Sequence, residues 1–290
     1  MPRERYNERL CDKAIRDTLA YRAVFKYPLS YYQLVNQLIS KRSFDQQFFD
    51  KELNKMVKKG YIACKESRFY DKRTKPVSWE QRHKATQRIF KKLRQVVILL
   101  RKIPWIRLLA ITGSVAAYNT DKNSDIDVFI ITTKNRLWLT RGFVAATLKI
   151  LGIYITRDAD PGKICPNLLI DETALAWPDK ERSVFTAHEI VLMQPLINKG
   201  NAYFAFLKAN TWVKNYFPNF QVDTEFTGKK SGAESKLVDL LEKLAMRAQT
   251  YYMKKKKTSE VTKPHMIHFK KNDNSGWILE GYNKLAHYNK

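Results

Sequence analysis

The hydrophobic pattern of the first 75 residues predicts three helices followed by two short strands. Apolar residues recur at helical spacing in ERLCDKAIRDTLAYRAVF, in YPLSYYQLVNQLI, where Ser30 is a predicted N-cap, and in SFDQQFFDKELNKMVKKG, which ends at Gly60. The segment YIACKESRFYDK then predicts two strands joined by a polar turn. The chain therefore begins with a small helical unit that closes in a hairpin.

The pattern changes after a polar linker at YDKRTKPVS. Residues 79–102 predict a long amphipathic helix, apolar runs predict strands in PWIRLLAI, DVFII and CPNLLI, and RLWLTRGFVAATLKIL predicts a helix. The segments TAHEIVLMQPLI, NAYFAFLKANTWVKNYF and ESKLVDLLEKLAMRAQTYYMKKKK also show helical spacing. Residues 259–290 are polar, and we expect a partly mobile tail that docks through Trp277, Ile278, Leu279 and Tyr282.

The composition adds a net charge of +25 to this pattern. Residues 1–100 carry 24 basic and 10 acidic side chains, whereas residues 101–210 carry 14 and 10. Basic flanks around a nearly balanced centre favour contact with RNA or DNA, although a generally lysine-rich composition would also produce them. No apolar run reaches the roughly 20 residues of a membrane span, so we expect no membrane contact. Three scattered cysteines and the lack of an apolar leader favour a cytoplasmic protein without disulfides or a zinc site.

The stretch TGSVAAYNTDKNSDIDVFII, residues 112–131, carries the most specific chemistry. A predicted buried strand ends at Gly113, where glycine permits close backbone approach, and the amides that follow predict an anion nest. Further on, Asp125 and Asp127 flank Ile126 at the start of the next strand. Because alternate strand residues share a face, the two carboxylates should lie about 7 Å apart and suit Mg²⁺ bound jointly with substrate phosphates. The alternative is a pair of solvated aspartates in a turn or on an edge strand.

The motif resembles the signature of the DNA polymerase β-like nucleotidyltransferase superfamily: a strand, then Gly-Ser, then about ten residues, then Asp-x-Asp on a second strand. The resemblance covers roughly residues 108–132. It implies an α/β (α+β) fold whose core is a short mixed sheet with helices on one side. It also implies that Gly113 and Ser114 hold the β- and γ-phosphates of an NTP, and that Asp125 and Asp127 coordinate two divalent metals, Mg²⁺ or Mn²⁺. One metal would steady the triphosphate and the other would activate an acceptor hydroxyl, with release of pyrophosphate.

The superfamily pattern adds a third catalytic carboxylate, a metal ligand on a later strand. Asp171, at the end of CPNLLID, is the first choice for this role. Three further acidic residues remain candidates: Glu172, which follows Asp171 directly, and Asp158 and Asp160 in the turn-like RDADPG.

Basic residues near the motif are candidates for contact with the triphosphate. Arg141, on the helix after the second strand, is preferred over Lys122 and Arg136, because arginine can hold a phosphate through two parallel hydrogen bonds. His188 in FTAHEI is interpreted as a structural hydrogen-bonding residue, since the superfamily's chemistry needs no histidine.

The predicted function is that of an enzyme, a metal-dependent nucleotidyltransferase that moves a nucleoside monophosphate from an NTP to an acceptor hydroxyl. The acceptor could be an RNA end, a protein side chain or a small molecule, and the basic flanks and winged-helix outline favour nucleic acid. One alternative is a nucleic-acid-binding regulator whose nucleotidyltransferase domain only senses nucleotide. Another is a toxin–antitoxin or defence nucleotidyltransferase. The sequence leaves the nucleotide, the acceptor and the oligomeric state open.

Four segments are predicted along the chain: a winged-helix-like domain over 1–75, the nucleotidyltransferase core over 76–180, a C-terminal helical region over 181–258 and a polar basic tail over 259–290. Three helices and a strand pair are the outline of a winged helix-turn-helix, in which the third helix and the basic hairpin contact nucleic acid. Units of this kind also serve purely structural roles, so both interpretations stay open for the first domain.

Overall fold

The computed structural model describes residues 3–121, 124–155, 161–221, 236–255, 260–269 and 275–287. Over these ranges the chain forms ten α-helices, a mixed sheet of six strands and an antiparallel sheet of three. The predicted α/β (α+β) class with a mixed sheet is therefore confirmed. None of the helices in the described ranges is long and apolar enough to cross a membrane.

The helices are α1 (Arg3–Val24), α2 (Tyr31–Asn36), α3 (Gln46–Lys58), α4 (Trp79–Leu100), α5 (Gly113–Ala116), α6 (Leu137–Ile150), α7 (Val184–Leu192), α8 (Ala202–Ala209), α9 (Lys236–Lys255) and α10 (Ser275–His287). The strands are β1 (Leu29–Ser30), β2 (Ala63–Lys65), β3 (Arg68–Tyr70), β4 (Ile106–Ile111), β5 (Ile126–Thr132), β6 (Ile164–Asp171), β7 (Gln194–Asn198), β8 (Glu260–Lys263) and β9 (Met266–Phe269). Short 3-10 helices span Asp179–Glu181 and Thr211–Asn215.

The N-terminal unit has the three helices and the hairpin that the apolar pattern predicts. Ser30 accepts a hydrogen bond from the Gln33 amide, and the Gln33 side chain accepts one from the Ser30 amide, so the two residues form a capping box for α2. The two-residue strand β1, which the pattern does not reveal, pairs with β3 and gives the strand order β1-β3-β2. The apolar faces of α1, α2 and α3 pack into one buried cluster that includes Leu19, Leu34 and Leu53.

The large sheet has the strand order β7-β4-β5-β6-β9-β8. Strands β5 and β6 are parallel, and the remaining neighbours are antiparallel. A parallel pair needs a long crossover, and α6 provides it between β5 and β6. The two parallel strands therefore begin at the same edge of the sheet, and this edge carries the site described below.

Helices cover both faces of this sheet, which corrects the expectation of helices on one side. One face buries Ile111, Val128 and Ile130 against α4, α6 and α9. The other face buries Leu108, Phe129 and Ile131 against α7, α8 and the end of α1. Alternating side chains of central strands point to opposite faces, and since both kinds are apolar here, each face must be covered.

Two segments differ from the predicted pattern. The residues QPLI, expected to continue a helix, lie in the edge strand β7. An edge strand tolerates Pro195 because one side of it needs no amide hydrogen for pairing. The segment 259–290, expected to be a partly mobile tail, contributes β8 and β9 beside β6 and the helix α10 against α1. The predicted docking residue Ile278 is buried in the core.

Candidate active site

The two aspartates of the motif converge with a cysteine at the edge of the sheet. Asp127 pairs with Cys165 across the parallel strands β5 and β6, and Asp125 directly precedes β5. Asp125, Asp127 and Cys165 each offer one ligand atom, and these atoms all lie within 4.8 Å of one another. The aspartate pair is thus brought together as predicted. The third group beside it is a thiol.

Position 113 requires a glycine, because its backbone lies against the Asp127 side chain. Its φ of +63° belongs to the left-handed region that favours glycine, and it follows directly on β4 and Thr112. A Cβ atom placed on Gly113 would lie 2.8 Å from Asp127 Oδ2. The glycine therefore lets the turn approach the Asp127 carboxylate closely.

Glu189 is a third carboxylate at this site, and no motif in the sequence points to it. It lies on α7, and its Oε2 accepts a hydrogen bond from the Gly113 amide at 3.2 Å. The amide that was expected to face a triphosphate is therefore held by the protein itself. The signal in the sequence is weak, because a single glutamate on an amphipathic helix is usually a surface residue.

Each of the three carboxyl groups has a raised pKa. Burial, together with the charges of Asp125 and Glu189, raises the pKa of Asp127 to about 8, against a smaller lowering by the Cys165 thiol. Burial also raises the pKa of Asp125, and it raises that of Glu189 to about 6 while the Gly113 amide acts in the opposite direction. Within the described ranges, no lysine or arginine forms a salt bridge with Asp125 or Asp127. A divalent cation would supply the missing positive charge.

The site opens into a cleft of about 1270 Å³. Ser114, Asp125 and Asp127 line it, as do Arg22 of α1 and Arg141 of α6. Arg141 reaches the cleft from the helix layer on the opposite face of the sheet from Asp127, and its Nη1 donates to Gln249 Oε1 at 2.6 Å. Gly113, Ser114 and the aspartate pair are thus brought together, with Arg141 on a different wall.

Asp171 lies away from the aspartate pair, which corrects its assignment as the third ligand. Asp171 pairs with Thr132 and lies six residues along β6 from Cys165. At the usual rise per residue of a strand, Asp171 is therefore about 20 Å from Cys165. Its buried carboxylate accepts hydrogen bonds from the Asn135 amide at 3.1 Å and from His265 Nδ1 at 2.7 Å. Its role is to fix the far end of the sheet.

The remaining acidic and basic candidates also lie elsewhere. Glu172 accepts from Arg107 Nε at 2.8 Å, and Arg136 donates to Asp239 Oδ1 at 2.6 Å. Asp158, Asp160 and Lys122 lie outside the described residues.

Helix α4 presents a basic face next to the loop that precedes the aspartates. Thr86 Oγ1 and Thr120 Oγ1 are 2.8 Å apart, and Arg82 Nη1 is 3.4 Å from Asp121 Oδ2, so the helix is anchored to this loop. On its outer side α4 carries five exposed cations that form no salt bridge within the described chain: Lys84, Arg88, Lys91, Lys92 and Arg94. These five residues are the α4 basic face.

The basic side chains of the N-terminal hairpin, at Lys65, Arg68, Lys72 and Arg73, make contacts within the protein. The Arg68 guanidinium lies 4.0 Å from the Trp79 ring centroid, Lys72 Nζ donates to the Gly60 carbonyl oxygen at 2.8 Å, and Arg73 pairs with Asp71. Lys65 is exposed over 77 % of its side chain, and it lies 3.8 Å from Glu66 Oε1. Among the described residues, the α4 basic face therefore carries more exposed cations than the hairpin.

No protein-family model matches this chain, and no curated protein matches it as a relative. Its function is therefore inferred from the chemistry of the site.

Proposed function

We propose that the protein is a metal-dependent nucleotidyltransferase that transfers a nucleoside monophosphate from an NTP to an acceptor hydroxyl. The observation that carries this proposal is the convergence of Asp125, Asp127 and Cys165 within 4.8 Å, beside the Gly113 turn and on the wall of a cleft. The cleft volume of about 1270 Å³ exceeds the roughly 300–1,000 Å³ of a pocket for one small molecule. It is large enough for a nucleotide and part of an acceptor.

The donor set fits a divalent cation. Asp125 and Asp127 supply hard oxygen ligands of the kind that Mg²⁺ and Mn²⁺ prefer, and Cys165 adds a softer sulfur. A bound cation would neutralise charge between the carboxylates and the triphosphate and lower the pKa of the acceptor hydroxyl. The half-buried Asp127 carboxyl has its pKa raised to about 8 and forms no salt bridge within the described ranges, so such a cation would stabilise its ionised form.

The residues around the aspartates have roles in positioning. The Ser114 side chain lines the cleft, where its hydroxyl can donate a hydrogen bond to a phosphate oxygen. In the transfer, the acceptor oxygen bonds to the α-phosphorus while the bond from that phosphorus to the bridging oxygen breaks. The electron pair leaves with pyrophosphate, and the acceptor proton passes to a site carboxylate. Gly113 allows Asp127 to approach the turn that would hold the departing phosphates.

The α4 basic face supports a nucleic-acid acceptor. Its five exposed cations lie on the helix that is anchored to the loop before Asp125, and they could hold a phosphate backbone there. RNA fits the proposed chemistry because its 3′ end offers an acceptor hydroxyl. Binding through this face would weaken steeply with increasing salt.

The deciding experiment is a transfer assay. The protein is incubated with each labelled NTP, with Mg²⁺ or Mn²⁺, and with RNA, protein or small-molecule acceptors in separate reactions. We expect label on RNA, and we expect the double variant Asp125→Asn, Asp127→Asn to lose transfer while it keeps its fold. Glu66→Gln, which removes an exposed carboxylate on the N-terminal hairpin, is the control and should transfer normally. Full activity in the double variant would refute the metal-site assignment.

A second candidate function is nucleotide sensing without transfer. Two observations favour it. The third group beside the aspartates is the thiol of Cys165, where the superfamily pattern has a carboxylate, and Glu189 accepts a hydrogen bond from the Gly113 amide. Under this function the protein would bind an NTP, yet it would transfer no label in any arm of the assay. Transfer that appears in Cys165→Asp, and only there, would identify the natural protein as a sensor.

A further inference from the structure

Arg22 is a buried cation that forms no salt bridge with any residue in the described part of the chain. It lies in the last turn of α1 with 3 % of its surface exposed, and its Nε has no hydrogen-bond partner. Its guanidinium carbon is 4.9 Å from the Tyr27 ring centroid, and no carboxylate within the described chain forms a salt bridge with it. The aromatic contact and the carbonyl end of α1 offset only part of the desolvation of this charge.

His188 lies beside Arg22 and carries a second unpartnered polar atom. Its ring is 2 % exposed and stacks on Tyr21 at a centroid distance of 4.0 Å. Since Nδ1 lies 3.1 Å from the Val184 carbonyl oxygen, it carries the hydrogen, and Nε2 is an acceptor that has no partner. Arg22 and His188 both line the large cleft, and their unmatched Nε and Nε2 atoms are buried in its wall, so a ligand would contact these two atoms after a shift of the side chains.

The contacts place this pair close to the aspartate site. Tyr21, which stacks on His188, is the chain neighbour of Arg22. Glu189, the chain neighbour of His188, holds the Gly113 amide. Helices α1 and α7, which carry these residues, cover the face of the sheet that Asp127 shares with Phe129. Arg141 reaches the cleft from the helices on the opposite face.

We infer that Arg22 and His188 form a phosphate subsite in the cleft, distinct from the aspartate pair. The Nε and Nη groups of Arg22 match two oxygens of one phosphate, and His188 Nε2 can accept a hydrogen bond from a hydroxyl of the same ligand. A nucleotide offers both groups, as a phosphate and a ribose hydroxyl. The ligand is a free nucleotide or the terminal nucleotide of a strand, which share this chemistry. The subsite depends on the geometry of the cleft and holds whether or not the protein performs transfer.

The rival explanation is that Arg22 only packs against Tyr27. The phosphate-subsite and packing explanations predict opposite effects of Arg22→Met on the stability of the ligand-free protein. If Arg22 is an uncompensated charge, Arg22→Met should stabilise the ligand-free protein, because methionine keeps an unbranched apolar stem and removes the buried charge. If Arg22 is a packing residue, the same change should destabilise it.

The test measures thermal unfolding and nucleotide affinity of the full chain at constant ionic strength. The ligands are inorganic phosphate, a nucleoside monophosphate and a short oligonucleotide. Arg16→Met is the matched control, because Arg16 also lies on α1 and packs at 4.9 Å from an aromatic ring, that of Tyr61, but it does not line the cleft.

For Arg22→Met we expect a ligand-free melting temperature about 2–4 °C above that of the wild type. We also expect nucleoside monophosphate binding at least about tenfold weaker. Arg22→Lys keeps a cation without the planar fork and should bind with intermediate affinity. Stronger dependence on Arg22 for the oligonucleotide than for the free nucleotide would identify a strand end as the ligand, and the reverse would identify a free nucleotide.

Wild-type ligand affinity in Arg22→Met would overturn the inference, as would a melting temperature lower than that of the wild type. If Arg22→Met does not fold, unchanged nucleotide affinity in Arg22→Lys overturns it instead. Loss of transfer in Asp127→Asn with retained phosphate binding would separate this subsite from the proposed catalytic function.

Discussion

Asp127→Asn should make the protein more stable in the absence of metal while it abolishes transfer. The carboxyl of Asp127 is held close to Asp125 and Glu189, and burial together with these charges raises its pKa to about 8 from the ordinary value of 3.8. An asparagine keeps the shape and can still accept a hydrogen bond from the Cys165 thiol. It removes the charge, which the site without metal does not compensate.

The magnitude follows from the shift in pKa. A rise of about 4 units at about 1.36 kcal/mol per unit corresponds to about 6 kcal/mol between the protonated and ionised forms. Because the side chain is partly exposed in the cleft wall, we expect about 2–4 kcal/mol in practice. The folded state holds its proton more tightly than the unfolded state, so the stability of the wild type should fall as the pH rises from about 4 to about 8.

The assay is chemical denaturation in a chelator at pH 5 and at pH 9, repeated with Mn²⁺. In chelator, the advantage of Asp127→Asn should be larger at pH 9 than at pH 5. Mn²⁺ should stabilise the wild type, by about 2.7 kcal/mol at a hundred times its dissociation constant, and should stabilise the variant much less. Glu66→Gln, which removes an exposed carboxylate, should follow the wild type under every condition.

A loss of stability in Asp127→Asn at pH 9 in chelator would refute this reasoning. It would mean that the ionised carboxylate has a stabilising partner in the folded protein. An equal response of variant and wild type to Mn²⁺ would show that the cation binds elsewhere.

Further substitutions separate the roles of the neighbouring residues. Cys165→Asp should shift the preference of the transfer reaction from Mn²⁺ towards Mg²⁺, because it replaces a soft sulfur with an oxygen ligand; an unchanged ratio of the two rates would remove Cys165 from the metal site. Gly113→Ala should abolish transfer and destabilise the fold by about 1 kcal/mol or more, measured by denaturation, since its Cβ would lie 2.8 Å from Asp127 Oδ2 at a positive φ. Asp171→Asn should lower stability by about 1–3 kcal/mol through its buried hydrogen bonds and leave the transfer rate of the folded protein unchanged, whereas a specific loss of rate would return Asp171 to the site.

Much of the local structure follows from short-range patterns in the sequence. The capping box at Ser30 and the apolar stripe of α4 need only neighbouring residues, because caps and helical faces are set within a few positions along the chain. The turn at Gly113 and the strand that begins after Asp125 are local in the same sense. The aspartate pair was predictable since alternation on one strand fixes which residues share a face.

The third group at the site depends on how two strands pair. Cys165 and Asp171 lie at opposite ends of β6, and only the parallel register with β5 decides which one meets Asp127. A signal was present, because the helix α6 between the two strands favours a parallel pair, and parallel strands begin at the same edge. Asp127 lies at the beginning of its strand, so the beginning of β6 was the place to search.

The sequence by itself determined the secondary structure around the motif, the convergence of Asp125 and Asp127, and the excess of positive charge. Only the tertiary structure placed Cys165 and Glu189 beside the pair, moved Asp171 to the far end of the sheet, and buried Arg22 in the same cleft. The physical reason is the range of the interactions. Periodicity and capping act over one or two turns of chain, whereas strand register and helix packing join residues that are tens to more than a hundred positions apart.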